Sequence, residues 1–180
     1  KKSNLISNVI VATSKEKSDD KLVKHLNDHK IKFFRGELNN VAKRFLDVLK
    51  KNKTKFFIRI SGDSPLIDFR IIDLAIKIFR KYKYKPDIIT NVFPRTFPVG
   101  QSVELIKSSI IRDNIHKFSN FEKEHVTKFF YNNSKKFIIR NFKFNGKKIP
   151  IKLSVDKKED LITMMKKYNK KKFEKFKLLK

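Results

Sequence analysis

The stretch Arg59-Ile60-Ser61-Gly62-Asp63-Ser64-Pro65-Leu66-Ile67-Asp68 decides the fold. It continues a short apolar run, residues 56–61, and its Pro65 and Asp68 lead into a helix pattern over residues 69–81, with Ile72, Leu74, Ala75, Ile76 and Phe79 at helical spacing. A strand that gives way to Gly-Asp, then Pro, then a helix is a β-to-α junction. Open α/β sheets bind their ligands at that carboxyl edge of the strands. Upstream the same unit recurs twice. Residues 8–13 read as a strand before a helix over 19–29, where Leu22, Val23 and Leu26 share a face behind the acidic start Asp19-Asp20. Residues 32–35 read as a strand before a helix over 41–51, with Val41, Phe45, Val48 and Leu49 on one side. Strands buried on both faces appear as continuous apolar runs rather than alternation. The pattern therefore predicts the α/β class, a mostly parallel sheet flanked by helices, in a single domain over residues 1–180.

Downstream of a fourth strand, residues 87–91, the rhythm changes. Pro94, Pro98 and Gly100 break regular structure, so residues 93–102 read as a loop feeding a strand over 103–106. Helices are expected over 108–118 and 121–131, and strands over 137–142 and 151–155 with an Asn145-Gly146 turn between them. A tail helix over 157–180 opens on Glu159-Asp160 and carries Phe173 and Phe176, which read as core or interface.

Composition narrows the function classes. There is no cysteine, which excludes disulfides, thiolate zinc sites and a cysteine nucleophile. No apolar run reaches the roughly 20 residues that cross a bilayer, so the expectation is a cytoplasmic protein without membrane insertion. The formal charge of +27 raises a basic nucleic-acid-binding module as an alternative. However, 37 of the 45 basic residues are Lys, spread along the whole chain, and Asn, Ile and Phe are abundant while Ala, Gly and Trp are scarce. That is the signature of an A+T-rich coding sequence, and no nucleic-acid partner is expected.

Three strings carry candidate chemistry. Asp63, delivered by a buried strand to the sheet edge, suits a divalent cation on a phosphate, since hard cations want oxygen ligands; capping a strand-to-helix turn is its plain alternative. Asp156, in Leu153-Ser154-Val155-Asp156-Lys157-Lys158-Glu159-Asp160, stands at a second strand end, where it either caps the next helix or joins Asp63 at a metal. Between them lies Pro94-Arg95-Thr96-Phe97-Pro98-Val99-Gly100-Gln101-Ser102-Val103-Glu104. An Arg between prolines, followed by Gln and Glu, suits a carboxylate and hydroxyls, because guanidinium grips carboxylate in a fixed fork; a surface Arg on a rigid turn is the alternative. His125, in Glu124-His125-Val126-Thr127, is a further candidate, although a lone His more often packs or caps. No Walker A loop, G-x-G-x-x-G, H-E-x-x-H or G-x-S-x-G string is present.

Taken in order, these strings, with Val9-Ile10-Val11-Ala12-Thr13-Ser14 and Phe34-Arg35-Gly36 ahead of them, resemble the cytidylyltransferases that include the acylneuraminate and ketodeoxyoctulosonate enzymes. The likeness is strongest to the branch named after spore coat polysaccharide biosynthesis. The resemblance implies a Rossmann-like nucleotidyltransferase fold and transfer of CMP from CTP to a sugar acid with release of pyrophosphate. It implies Mg²⁺ on Asp63 and Asp156, a sugar pocket of Arg95, Gln101 and Glu104 with His125 beside it, and Arg35, Arg44 and Arg59 near the nucleotide. It also implies a homodimer, and a chain that starts just before the family's second strand, so that the first strand and its phosphate loop are expected to be missing. A non-catalytic relative that keeps the fold is the remaining alternative.

Overall fold

The computed structural model describes residues 3–145 and 152–167. They fall into two compact units, one of residues 3–5, 58–106, 139–145 and 152–167, the other of Ile6–Phe57 and Lys107–Ile138.

The second of these is built on a β-α-β turn of chain. Strand β1 (Val11–Ser14) runs parallel to β2 (Phe33–Gly36), with Val11 opposite Phe33 and Ser14 opposite Gly36, and helix α1 (Asp20–Asp28) makes the crossover. Of the three apolar positions expected on α1, Leu26 is buried and Leu22 is exposed. Helix α2 (Val41–Asn52) is held at its start by the Asn40 side chain, which accepts from the Lys43 N–H, and it buries Ala42 and Leu49. Helix α4 (Ser108–Asn114) runs on into a 3₁₀ turn. The single helix expected over 121–131 is two: α5 (Asn120–Glu124), opened by a capping box between Ser119 and Glu122, and α6 (Lys128–Asn132). His125 leaves the helical backbone region between them, and the β-branched pair Val126-Thr127 buries itself at that break. Phe118, Phe129, Phe130 and Phe137 form the aromatic core, with Phe118 stacked on Phe129 and Phe130 edge-on to Phe137.

The other unit carries most of a four-stranded sheet in the order β3-β5-β4-β6, where β3 is Phe56–Arg59, β4 Ile88–Thr90, β5 Glu104–Lys107 and β6 Ile139–Asn141. Strand β4 is buried throughout. It pairs in parallel with β6 and antiparallel with β5, because the chain returns from β4 to β5 through an irregular loop rather than a crossover helix. Helix α3 (Phe69–Lys81) packs on β4 and starts at Asp68, whose carboxylate accepts from the Arg70 N–H at 3.0 Å. Helix α7 (Lys158–Lys167) completes the described chain. The strand expected over 151–155 reduces to an isolated bridge between Lys152 and Val99, since its amides are taken singly by two loops. Gly146 of the expected turn, and the tail beyond residue 167 with Phe173 and Phe176, lie outside the described residues.

Candidate active site

Three loops of one unit meet around Asp63. After β3 the chain turns through residues 60–68, with the Ser64 N–H donating to the Ser61 carbonyl at 3.3 Å and the Ile67 N–H to the Ser64 carbonyl at 3.2 Å. Asp63 sits exposed on this turn, and the Ser64 hydroxyl donates to its carboxylate at 2.7 Å. From the far end of the sequence, the Val155 N–H donates to the Asp63 carbonyl at 2.7 Å. The two acids singled out in the sequence therefore occupy neighbouring loop positions.

What holds residues 152–156 there is mainly backbone. The Leu153 N–H donates to the Val99 carbonyl at 2.8 Å. Next to it Gly100, at φ +90°, presses on the Leu153 peptide so closely that a Cβ would sit 2.3 Å from the Leu153 carbonyl carbon and oxygen. A side chain has no room at that position, and the left-handed backbone favours glycine as well. On the other side, Asp160 at the third position of α7 reaches back to accept the N–H groups of Asp156 and Lys157, both at 3.0 Å. Capping of α7, one reading of Asp156 in the sequence, thus falls to Asp160. Lys152 ties the group together, its ammonium lying 2.8 Å from Asp156 and 2.7 Å from Asp160. That contact, then the Asp156 N–H, holds the Asp160 carboxyl below its ordinary range, and Asp156 first, then Asp160, raises Lys152.

Gln101 is fully buried, with both ends of its amide engaged by the Asp63 turn. Its Oε1 accepts from the Asp68 N–H at 2.9 Å and its Nε2 donates to the Leu66 carbonyl at 2.8 Å. Glu104, also buried, receives the Arg59 guanidinium at 2.6 Å. Arg95 is exposed on a turn containing the cis Phe93–Pro94 bond, where it donates to the Ser102 hydroxyl at 3.0 Å. Asn141 clamps that turn, accepting from the Phe93 N–H and donating to the Pro94 carbonyl, each at 3.1 Å. Asn91 was not singled out in the sequence. It is fully buried, donates to the Gln101 carbonyl at 2.7 Å and accepts from the Val103 N–H at 2.9 Å, so it staples the two ends of the 91–103 loop. An Asn closing an otherwise apolar buried strand is the signal that marks it.

Arg35, Arg44 and His125 belong to the other unit. At the carboxyl edge of β1 and β2, Asp19 accepts from the Thr13 hydroxyl at 2.6 Å, the Ser14 hydroxyl at 2.6 Å and the Ser14 N–H at 2.8 Å. The Ser14 hydroxyl, then that of Thr13, lowers the Asp19 carboxyl to about 2. Arg35 donates to the carbonyls of Ser14 at 2.8 Å and Glu16 at 2.9 Å and pairs with Asp20 at 2.8 Å. Arg44 lies across Gly36, where a Cβ would meet its Cγ at 2.5 Å. Burial lowers its guanidinium, and its Nε has no hydrogen-bond partner among the described residues. His125 is exposed against the Phe121 ring, centroids 4.4 Å apart. A cavity of about 480 Å³ in this unit, lined by Ile10, Phe34, Val48 and Lys51 among others, includes none of the candidate residues.

Chemically, Asp63 and Asp156 offer two hard oxygen donors at neighbouring positions, with the Asp156 side chain about half exposed at 52 %. Mg²⁺ is usually held by one or two carboxylates, water and substrate phosphates, so this donor set fits it. No group of three or more acid or histidine side chains among the described residues offers a closed metal cage.

The sequence matches the cytidylyltransferase family model over residues 1–180. It is 27 % identical over 159 residues to the spore coat polysaccharide biosynthesis protein SpsF of Bacillus subtilis, covering 85 % of this chain and 63 % of that protein. It is 28 % identical over 138 residues to the uncharacterized protein MJ1063 of Methanocaldococcus jannaschii, covering 76 % of this chain and 55 % of that one. The chain thus spans about three fifths of the length of these relatives. Among solved structures, a cytidylyltransferase from Leptospira borgpetersenii superposes with a TM-score of 0.85 at 28 % identity, covering 94 % of this chain and 73 % of that one. CMP:2-keto-3-deoxy-manno-octonic acid synthetase complexed with CTP superposes at 0.64 with 13 % identity, over 91 % of this chain and 81 % of that one, a likeness of fold. The mixed α/β architecture, sheets flanked by helices, is that of these enzymes, and the chain belongs to the cytidylyltransferase family.

Proposed function

We propose that this protein transfers CMP from CTP to a sugar acid of the nonulosonic type, releasing pyrophosphate, in the cytoplasmic synthesis of a surface polysaccharide. The observation that supports the reading is the Val155 N–H to Asp63 carbonyl bond, which joins the loops that bear the two acids in a chain of the cytidylyltransferase family. In-line displacement at the α-phosphate asks little covalent work of a protein. Positioning and charge neutralisation supply the rate.

Asp63 and Asp156 would hold Mg²⁺, which when bound supplies charge neutralisation on the triphosphate. Lys152, 2.8 Å from Asp156 and 2.7 Å from Asp160, holds the Asp156 carboxylate in place. Gln101 fixes the Asp63 turn from below by holding Leu66 and Asp68. Arg95, exposed and steadied by Ser102, orients the carboxylate of the acceptor sugar. Arg59 balances the buried Glu104 at the end of β3.

The test is pyrophosphate release from CTP by the intact protein over a panel of sugar acids, with and without Mg²⁺. Asp63→Asn and Asp156→Asn are each expected to lower the rate by about 10²-fold or more, the usual cost of removing one group that stabilises developing charge. Full activity in Asp63→Asn would end the assignment. Absence of turnover with every sugar acid, with Mg²⁺-CTP still raising the melting temperature, would favour a non-catalytic binding domain.

A further inference from the structure

We propose that His25 and His29 form a surface site for a late transition-metal dication, Cu²⁺, Ni²⁺ or Zn²⁺, separate from the acid loops. These are two of the four histidines in the chain. They stand four residues apart at the end of α1, where side chains at that spacing are neighbours on one face. Both are exposed, and their ring centroids lie 4.1 Å apart with a tilt of 33°.

The hydrogen bonding favours ligation. Nδ1 of His29 lies 2.9 Å from the His25 carbonyl oxygen, which can only accept. Nδ1 is therefore the donor, and in the neutral ring Nε2 is the nitrogen that carries the lone pair. A ligating histidine generally donates its other ring N–H to a carbonyl or carboxylate, which fixes tautomer and ring orientation. That outer partner is already present here. The His25 ring takes no hydrogen bond among the described residues.

The surroundings choose the metal class. Asp28, the nearest carboxylate in sequence, is paired with Lys24 at 2.8 Å. Among the described residues no acid joins the two imidazoles in a group of three that could hold a metal, so the pair itself is the donor set. Hard cations such as Mg²⁺ have nothing to hold them, while imidazole suits Cu, Ni and Zn, with Cu²⁺ the tightest.

The test uses the intact protein without a histidine tag, titrated calorimetrically with Cu²⁺, Ni²⁺, Zn²⁺ and Mg²⁺. One equivalent of each transition ion is expected on this pair, with none of Mg²⁺. Loss of even an outer partner of a ligating histidine costs roughly tenfold or more in metal affinity, so His25→Ala and His29→Ala should each cost at least that. His116→Ala and His125→Ala should leave the titration unchanged. Adding Lys21→His to His29→Ala rebuilds the four-residue spacing with His25 and should restore binding. Unchanged affinity in His25→Ala and His29→Ala, or no binding of any transition ion by the wild type, would overturn the proposal.

Discussion

Replacing Gly100 by Ala tests whether the two candidate acids are placed by backbone contact. Gly100 has φ +90°, and an added Cβ would meet the Leu153 carbonyl carbon and oxygen at 2.3 Å and the Ser154 nitrogen at 2.7 Å. These are backbone atoms, so no flexible side-chain tip can swing away. Left-handed backbone costs a residue with a Cβ about 1–2 kcal/mol, and forcing an extra carbon into packed structure adds about 1–3 kcal/mol. The sum, roughly 2–5 kcal/mol, is a large part of the stability of a small domain. With a urea slope of about 2 kcal/mol/M, a loss of about 3 kcal/mol moves the midpoint down by about 1.5 M. The protein has a cheaper escape, which is to release residues 152–156 from the 99–100 loop and relieve the clash locally. The Leu153 N–H would then lose the Val99 carbonyl and the Val155 N–H the Asp63 carbonyl. Urea unfolding of the intact protein, read with amide hydrogen exchange, separates the two responses. Either the midpoint falls with those amides still protected, or it falls less while both exchange fast and pyrophosphate release collapses. A variant with an unchanged midpoint and unchanged protection of Leu153 and Val155 would refute the reasoning.

Three further outcomes follow from the same contacts. Gln101→Leu should cost about 2–6 kcal/mol by equilibrium unfolding, because it strands the Leu66 carbonyl and the Asp68 N–H, each worth about 1–3 kcal/mol when unsatisfied; a loss under 1 kcal/mol would show that water replaces the amide. Arg59→Met should destabilise by about 1.5–3 kcal/mol, the worth of a hydrogen bond to a charged group, by taking the guanidinium from the buried Glu104, and the double variant Arg59→Met with Glu104→Leu should regain most of it; equal stability of the two variants would count against the pair. The Asp19 carboxyl, lowered from 3.8 to about 2 in the fold, contributes stability that is complete above its unfolded value and disappears as pH falls through the folded one. The stability difference between wild type and Asp19→Asn, from urea midpoints, should hence be flat above about pH 5 and shrink from pH 4 towards pH 2; a flat difference across that window would remove the linkage.

The fold was readable where local pattern and burial agree. Helix α3 begins and ends where its apolar spacing and the preceding Asp68 say it should, and β4 is the continuous apolar run that a central strand must be. It was misread where tertiary contacts override a pattern. Residues 121–131 look like one amphipathic helix, yet burial of Val126-Thr127 outweighs the helical bonds at His125. Residues 152–155 look like a strand, but their amides are claimed one at a time by Val99 and Asp63. Gln101 and Glu104 show the limit for the site. Residue type advertised them as polar binding groups, and only coordinates reveal that one is stapled to residues 66–68 and the other sealed against Arg59.

That division also explains why the candidate acids can be tested cleanly. Asp63 and Asp156 are positioned by main-chain bonds and glycine packing, with their carboxylates turned over to Ser64 and Lys152 at the exposed end of the loops. Exchanging a carboxylate for an amide there leaves the Val155 to Asp63 bond, the Gly100 contact and the Gln101 clamp untouched. Surface changes of that sort cost about 0.5 kcal/mol or less. Asp63→Asn should accordingly keep the wild-type urea midpoint to within that amount while losing the chemistry, whereas Gly100→Ala should lose stability, the chemistry, or both. If Asp63→Asn instead unfolds the protein, its carboxylate is part of the scaffold, and the neighbouring acids are a structural pair rather than a seat for a metal.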